Sequence, residues 1–472
     1  MQFLAKIIII IYITKYNVSG GPIMADIILT LLPLTFLIAA ALITKKMAES
    51  MIAASLLAMV ILYKGDFLSG TIDSLYNTLS NSSYQFVIFI LVGFGGMIKL
   101  LQESGALSGF NNLASRLASG PRRPLLLAML MSIIMFVDEY LSVLAVTFAI
   151  KGTTDRNAIP REHLAFQANA VGCCLCVLVP FSSWVAFTVG LISDFGLTFD
   201  DYISSIPFMF YPVLMFVLLT LLALGLFPKV GTLKESYERV QNGGPALLSE
   251  EQTRSLVDIE MPDNTRTASA FNAIIPIVTL VAGVLIFDND LIHGILLAVA
   301  AQFILYISQR LMSISQFFQY FFEGAKSMTT LAIVICFGFM LSNANQQLGL
   351  FDLLIGSVGT SVPGWLLPAA AFILVGFTTF ATGGCWVMQI IAIPIFIPLT
   401  LAAGVPVKLV IAAIMSAVTL GYSCCFYADS VFMTSAGSGV SNMRIIKTAA
   451  PYAVGVAVLT LAGYLVAGFL MT

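Results

Sequence analysis

The sequence predicts an all-α polytopic membrane protein made of two inverted repeats, each with five transmembrane helices plus one re-entrant hairpin. Apolar residues make up 59% of the 472 residues and charged residues only 10%, whereas a soluble globular domain carries about 25% charged residues. Apolar runs long enough to cross a bilayer recur along the chain, and basic residues gather on one side of the resulting topology. These observations together predict a multi-pass membrane protein.

The transmembrane segments are predicted from the length of the apolar runs. A helix needs about 20 apolar residues to cross the hydrocarbon core of a bilayer. Ten runs approach or exceed that length and are each interpreted as one span: 25–44, 50–66, 84–101, 163–192, 205–228, 271–288, 291–309, 329–346, 408–437 and 447–470.

Two further apolar regions are too long for one straight span. Asp138 and Glu139 interrupt region 122–152, and a Thr-Gly-Gly segment beginning at Thr382 interrupts region 364–402. Lys and Arg accumulate in cytoplasmic loops, and eighteen of the 22 basic residues are cytoplasmic if both regions are hairpins. Treating both as pairs of spans would move many of them to the outside. We therefore predict a re-entrant hairpin in each region.

This topology divides the chain into two membrane repeats, residues 24–228 and residues 271–472. A charged linker, residues 229–270, joins them in the cytoplasm, and residues 1–23 precede them as an extension without a convincing cleavage site. The first repeat starts outside and the second inside, which is the plan of an inverted repeat.

Similar segments support this repeat. The segment beginning at Phe94 resembles the one beginning at Phe337, at an offset of about 243 positions. Nearly the same offset pairs the two hairpins, and it pairs the segment at Pro180 with the segment that ends at Asp429.

Composition also excludes several classes of protein. The net charge of -2 gives no general attraction to nucleic acid, and the seven cysteines lie mostly in apolar runs, so we expect no disulfide framework. No Gly-rich nucleotide-binding loop is present, and we expect neither an enzyme nor a bound cofactor. An intramembrane aspartyl protease built on Asp138 and Asp429 is a remote alternative, because neither residue has the Tyr-Asp or Gly-x-Gly-Asp context.

Three acidic residues inside apolar segments are the first candidates for function: Asp138, Glu139 and Asp429. Ionisable residues in a membrane are costly and mark ion pathways. Desolvation favours the neutral acid and a bound Na⁺ favours the anion, so one carboxylate can exchange a proton for a sodium ion. We therefore predict a Na⁺ site at Asp138 and Asp429. Alternatively, these carboxylates cap broken helices or only fix packing.

Breaks in the spans supply further oxygen ligands, because backbone groups freed within a membrane must line a cavity. Pro180 predicts a break beside Ser182 and Ser183, and Ser430 follows Asp429 in span 408–437. The serines could instead bond carbonyls of their own helices. Six more residues are expected to line the site: Asn169, Thr382, Gly383, Gly384, Ser423 and Thr434.

Several motifs over roughly residues 25–470 resemble the NhaC-type Na⁺/H⁺ antiporters. The resemblance rests on Gly95-Gly-Met-Ile-Lys-Leu-Leu-Gln-Glu-Ser-Gly-Ala, Phe136-Val-Asp-Glu-Tyr140, Thr154-Asp-Arg156, Arg161-Glu-His-Leu-Ala-Phe, Val177-Leu-Val-Pro-Phe-Ser-Ser-Trp184, Phe380-Ala-Thr-Gly-Gly-Cys-Trp386 and the segment 424–430. It implies the inverted repeats of the ion-transporter superfamily, with Asp138 and Asp429 near the cation site.

The chain departs from this family in its polar motifs. Asp138-Glu139 stands where the family has Asp-Asp, and Gly421-Tyr422-Ser423 stands where it has Gly-Asp-His. These departures reduce the polarity of the motifs and bear on which species is transported. From the family resemblance we expect a Na⁺/H⁺ antiporter working by alternating access in a bacterial inner membrane. The alternative is a Na⁺- or H⁺-coupled transporter of an amino acid or small carboxylate. The expected partners are the lipid bilayer and small ions, and the alternative function adds a small organic solute. The sequence is also compatible with a homodimer.

Overall fold

A computed structural model describes residues 22–44, 47–106, 120, 122–247, 268–287, 290–350, 353, 363–426 and 428–471. All regular structure in these residues is helical. The first half contains α1 (Pro22–Thr44), α2 (Met47–Tyr63), α3 (Phe67–Ser80), α4 (Ser82–Glu103), α5 (Arg123–Ile134), α6 (Glu139–Arg156), α7 (Arg161–Leu178), α8 (Ser183–Ser193), α9 (Phe199–Ser205) and α10 (Phe210–Ala223).

The linker contributes α11 (Gly231–Gln241). The second half contains α12 (Phe271–Ile286), α13 (Leu291–Ser308), α14 (Ile314–Ser327), α15 (Thr329–Gln347), α16 (Leu367–Thr382), α17 (Cys385–Ala402), α18 (Val407–Cys424), α19 (Asp429–Ser438) and α20 (Asn442–Met471). The predictions on residues 1–21 and on residues 248–267 of the linker lie outside the described residues.

The helices have the length and composition of membrane spans. Among the described residues, eight helical segments are long and apolar enough to cross a membrane, and two bent pairs bring the number to ten. One bent pair is α7 with α8, at 42°, and the other is Phe199–Phe208 with α10, at 53°. The prediction of a multi-pass, all-helical membrane protein is therefore confirmed.

The order of helices in the first half recurs in the second half at a nearly constant offset. α2, α3 and α4 recur as α13, α14 and α15, and the hairpin and broken-span helices recur in the same order. Three pairs of first residues are each separated by 246 positions: Glu139 and Cys385, Arg161 and Val407, and Ser183 and Asp429.

Two helices of this pattern, α3 and α14, are absent from the predicted spans. α3 buries Gly70, Ser74 and Thr78, which lie one turn apart on a single face. α14 begins with a capping box between Ser313 and Gln316 and buries only a narrow face. Because their apolar residues are periodic and not continuous, a search for long apolar runs does not find them.

The two halves pack against each other reciprocally. α4 contacts α13 and α14, while α15 contacts α2 and α3. α6 contacts α19, α8 contacts α17, and α7 and α18 contact each other. Where α4 crosses α14, a Cβ on Gly95 would lie 2.5 Å from the carbonyl oxygen of Gly324, so only small residues permit this approach. Helices of each interrupted apolar region thus meet the broken span of the other half.

Candidate functional site

Each predicted interruption is a break between two helices. Residues 135–138 separate α5 from α6, residues 179–182 separate α7 from α8, and residues 425–428 separate α18 from α19. Between α16 and α17, Gly383 has a left-handed backbone with φ of 69°, a conformation that Gly adopts at little cost. The sequence predictions of these breaks are confirmed.

The breaks bring the first turns of four half-helices together. Trp184 of α8 donates from Nε1 to Oε2 of Glu139, the first residue of α6, over 2.7 Å. The ring centroids of Trp184 and Trp386 of α17 are 5.7 Å apart. Tyr140 donates its hydroxyl to Oδ2 of Asp429, the first residue of α19, over 3.3 Å. The positive ends of four helix dipoles therefore meet here, where they favour negative charge.

α6 and α19 lie side by side and run in the same direction. The Tyr140–Asp429 hydrogen bond joins their first turns. Two turns later, a Cβ on Gly437 would overlap the hydroxyl of Thr147. The number of residues from Glu139 to Thr147 on α6 equals the number from Asp429 to Gly437 on α19. Both helices therefore rise by about 12 Å between the two contacts, as expected for parallel helices. The two carboxylates thus stand at the same end of one parallel helix pair.

α8 and α17 form the second pair, and it carries no carboxylate at its start. Thr188 of α8 donates to Oε1 of Gln389 of α17 over 2.6 Å. The first residues of these helices are Ser183 and Cys385. Gly384, before α17, provides no side chain to cap the exposed N–H groups.

The three predicted carboxylates differ in exposure. Glu139 is 0% exposed and Asp138 3% exposed, whereas Asp429 is exposed. Glu139 interacts electrostatically with both aspartates. Its Oε1 accepts no hydrogen bond from the described residues, which leaves one buried carboxylate oxygen for a proton or a cation.

These side chains do not form a ready metal cage. Among the described residues, no group of three or more His, Cys, Asp and Glu side chains has a metal-binding arrangement. A cation beside Glu139 would therefore need backbone or hydroxyl oxygens as additional ligands, which Na⁺ accepts at broken helices.

The predicted serines at the first break have different surroundings. The Ser182 hydroxyl donates to the Cys176 carbonyl and accepts from the Val185 N–H, so it caps α8. The Ser183 N–H donates to the Val137 carbonyl over 3.0 Å. The Ser183 hydroxyl is buried and has no hydrogen-bond partner among the described residues. Ser183 thus has the freer hydroxyl of the two.

The second break holds Ser430 and part of the predicted lining. The Ser430 N–H donates to the Tyr422 hydroxyl over 3.3 Å, and its side chain lies beside the Cys173 thiol. The Asn169 side-chain amide donates from Nδ2 to the Ser423 backbone carbonyl over 2.9 Å, and the Thr434 hydroxyl donates to Oδ1 of Asn169 over 3.5 Å. These contacts join α7 to both sides of the break between α18 and α19.

The Thr382 hydroxyl donates to the Thr378 carbonyl over 2.7 Å, within α16. Thr382 therefore makes its hydrogen bond inside the hairpin helix. The two glycines that follow it form the turn before α17.

Sequence reasoning missed three aromatic residues of the site. Tyr140 and Tyr422 share a hydrogen bond of 3.2 Å and connect Asp429 to the break before it. Trp184, the last residue of the motif that begins at Val177, donates its N–H to Glu139. The position of Tyr140 directly after two buried acids was the available signal.

Known proteins resemble this chain in sequence or in structure. An uncharacterized protein of Haemophilus influenzae is 24% identical over 425 residues, covering 82% of this chain and 79% of that protein. The crystal structure of the Alcanivorax borkumensis YdaH transporter matches with a TM-score of 0.56 and 15% identity, over 86% of this chain and 89% of that chain. Neisseria gonorrhoeae MtrF, whose structure is presented as illuminating a class of antimetabolite efflux pumps, matches with a TM-score of 0.43 and 11% identity, over 86% of this chain and 85% of that chain.

The sequence profile of the Na⁺/H⁺ antiporter family matches residues 175–469. This range holds more than half of the chain and includes Ser183, Trp184 and Asp429. The chain therefore belongs to the Na⁺/H⁺ antiporter family, and it is a secondary transporter and not an enzyme.

Proposed function

We propose that the chain exchanges Na⁺ for H⁺ by alternating access, as an NhaC-type antiporter of a bacterial inner membrane. The observation that carries this proposal is the parallel pair of α6 and α19, with Glu139 and Asp429 at their first positions. An ionised carboxylate away from water is unfavourable unless a cation compensates its charge. Among the described residues, the donors to Glu139 are Trp184 and Cys176, neither of which is a cation, so either a proton or a sodium ion would neutralise it.

We assign the cation to the space between Glu139, Asp138 and Asp429. The exposed side chain of Asp429 provides the entry, and the buried Oε1 of Glu139 provides a ligand that is not otherwise used. The hydroxyls of Ser183 and Ser430 would complete the oxygen ligands. Because proton and Na⁺ compete for the same carboxylates, each excludes the other, and exchange follows.

Alternating access would arise from the repeated plan. We propose that the two halves have opposite orientations in the membrane and that both interrupted regions are re-entrant hairpins. The contacts of α6 with α19 and of α8 with α17 then cross the interface between the halves. Inverted repeats of this type carry the substrate near the bilayer midplane.

The test is dissipation of a pH gradient in proteoliposomes on addition of Na⁺, Li⁺ or K⁺. We expect a response to Na⁺ or Li⁺, and its loss in correctly inserted Glu139→Gln, Asp138→Asn and Asp429→Asn variants. Glu238→Gln is the matched control, since that carboxylate is 56% exposed on α11. Full Na⁺-dependent exchange in the three site variants would overturn the assignment.

One observation favours a second candidate, coupled transport of an amino acid or small carboxylate. The starts of α8 and α17 have no acidic residue, and the buried Ser183 hydroxyl at the start of α8 has no hydrogen-bond partner in the part of the chain that the structure describes. A substrate carboxylate would suit those N–H groups, while an ammonium group would suit Glu139 and Asp429. A pH-gradient response that requires an organic solute, with a solute-dependent rise in melting temperature, would select this candidate.

A further inference from the structure

Two motifs of the sequence have no role in the site described above, and the structure joins them through Arg161. The Arg161 guanidinium donates to both carboxylate oxygens of Asp155, from Nε over 3.0 and 3.1 Å and from Nη2 over 2.6 Å. Its Nη1 donates to the carbonyl oxygen of Ser438 over 3.1 Å. Asp155 lies in the last turn of α6, and Ser438 is the last residue of α19.

Arg161 therefore connects the far ends of the two helices that begin with Glu139 and Asp429. A guanidinium has several N–H groups in one plane, so it can hold a carboxylate and a carbonyl oxygen at once. The free carbonyl at the end of a helix also favours a cation. Arg161, the first residue of α7, is thus a cationic bridge between α6 and α19. The direct contacts between these two helices include the Tyr140 hydrogen bond and the packing of Thr147 on Gly437.

The connection exists in only one of the two helix pairs. The residues 246 positions after Asp155 and Arg161 are Leu401 and Val407, which have no charge. The pair of α8 and α17 thus lacks this link, although its helices start at equivalent positions. The Arg161 link is thus found in the helix pair that carries Glu139 and Asp429.

The linker supports Arg161 from the other side. The Arg161 N–H donates to the Ala246 carbonyl over 3.2 Å. The next residue, Glu162, is 1% exposed and accepts from Arg239 of α11 over 2.9 Å and from Arg444 of α20 over 2.6 Å. The start of α7 is thereby fixed to the linker and to the last helix.

We propose that Arg161 is a positioning residue for transport: it holds α6 and α19 in register and so sets the separation of Glu139 and Asp429. This inference rests on the proposed function. α19 has ten residues and begins at a break, so Arg161 holds the end of α19 that lies opposite the break. Without Arg161, the Tyr140 hydrogen bond and the packing of Thr147 on Gly437 would remain as contacts with α6. A change in register of α19 would move Asp429 relative to Glu139 and weaken a cation held between them.

The test compares Arg161→Gln with Arg239→Gln as the matched control. Arg239 belongs to the same cluster, yet its hydrogen bonds go to Glu162 and to the carbonyls of Pro245 and Ala246, not to α6 or α19. We expect Arg161→Gln to raise the Na⁺ concentration for half-maximal exchange roughly tenfold, because charge-assisted hydrogen bonds are lost. Arg239→Gln is expected to lower thermal stability and to change that concentration by less than about twofold.

Conservative variants and a second readout separate positioning from general stability. Arg161→Lys keeps the charge but not the planar fork, so it should resemble Arg161→Gln more than the parent. Asp155→Asn is nearly isosteric and should raise the same Na⁺ concentration about threefold, which carries the test if Arg161→Gln does not fold. Equal effects of Arg161→Gln and Arg239→Gln on Na⁺ concentration would overturn the proposal.

Hydrogen–deuterium exchange provides a readout that does not depend on transport. Amides of residues 429–438 should lose protection in Arg161→Gln and keep it in Arg239→Gln. If the parent protein shows no Na⁺-dependent flux, the proposed function fails, while unchanged protection of α19 in Arg161→Gln would show that the link itself does not hold the helix.

Discussion

Gly437→Ala is expected to force α6 and α19 apart, because the added Cβ would overlap the hydroxyl of Thr147 and lie 2.9 Å from its Cβ. Because the Thr147 Cβ does not move when its side chain rotates, the overlap must be relieved by a shift of one helix. Overpacking of this kind costs about 1–3 kcal/mol. Replacing a helical Gly by Ala also gains about 1 kcal/mol in helix propensity.

A matched variant removes the propensity gain from the comparison. Gly152 lies on α6, and a Cβ there has nothing within 4 Å. Gly152→Ala should therefore stabilise by about 1 kcal/mol through propensity alone. The difference between the two variants isolates the overlap, so Gly437→Ala should be less stable than Gly152→Ala by about 1–3 kcal/mol.

The seven cysteines provide the assay, since six are buried and one is partly buried. A thiol-reactive fluorophore then reports unfolding during a thermal ramp, and Na⁺-dependent exchange reports the site. Thr147→Gly in the Gly437→Ala background leaves 3.8 Å to the nearest remaining atom, the Leu144 carbonyl oxygen, and should restore the Na⁺ concentration for half-maximal exchange. Equal melting temperatures for Gly437→Ala and Gly152→Ala would refute the close contact of α6 with α19.

Four further variants test hydrogen bonds and ion pairs of carboxylates, two at the candidate site and two away from it. Trp184→Phe removes the N–H donor from buried Glu139 and leaves the Cys176 thiol, at 3.8 Å, as a donor. Because hydrogen bonds to charged groups contribute about 1.5–3 kcal/mol, this variant should weaken the apparent Na⁺ affinity at least tenfold in proteoliposomes. Tyr140→Phe removes a 3.3 Å bond to exposed Asp429, and the same assay should show a change of no more than about threefold. Glu162→Gln leaves Arg239 and Arg444, 16% and 25% exposed, without their carboxylate; thermal unfolding should show a loss of about 2 kcal/mol, below the cost of a fully buried pair. Glu238→Gln, in an exposed 3.7 Å pair with Lys234, should cost less than about 0.5 kcal/mol.

The sequence was sufficient to predict the breaks because their causes are local. Pro180 has no backbone N–H to donate to the preceding turn of a helix, and Gly383 takes a left-handed backbone at little cost. The amphipathic α3 and α14 were missed because they are recognised by periodicity and not by total apolar content. The orientation of the two halves in the membrane stays a prediction.

The carboxylates of the candidate site stand out in the sequence, and their hydrogen-bond partners do not. Asp138, Glu139 and Asp429 are conspicuous because charges are expensive in apolar segments. The donors Trp184 and Tyr140 are ordinary aromatic residues in sequence, and which acid each one binds depends on how α8 and α19 pack against α6. That packing crosses between distant segments and leaves no periodic signal.

The two halves differ most where their helices start. Glu139 opens the helix after the interruption of the first half, and its equivalent in the second half is Cys385; Asp429 opens the helix after the broken span, and its equivalent is Ser183. Acids at equivalent positions, such as 139 and 385, would stand on helices of different pairs. Because the acids occupy non-equivalent positions, they meet on α6 and α19, which pack together across the halves. Glu139 belongs to the first half and Asp429 to the second, so neither half alone holds both acids. Contact between the halves therefore places both acids on one helix pair and leaves the other pair without an acid at its helix starts.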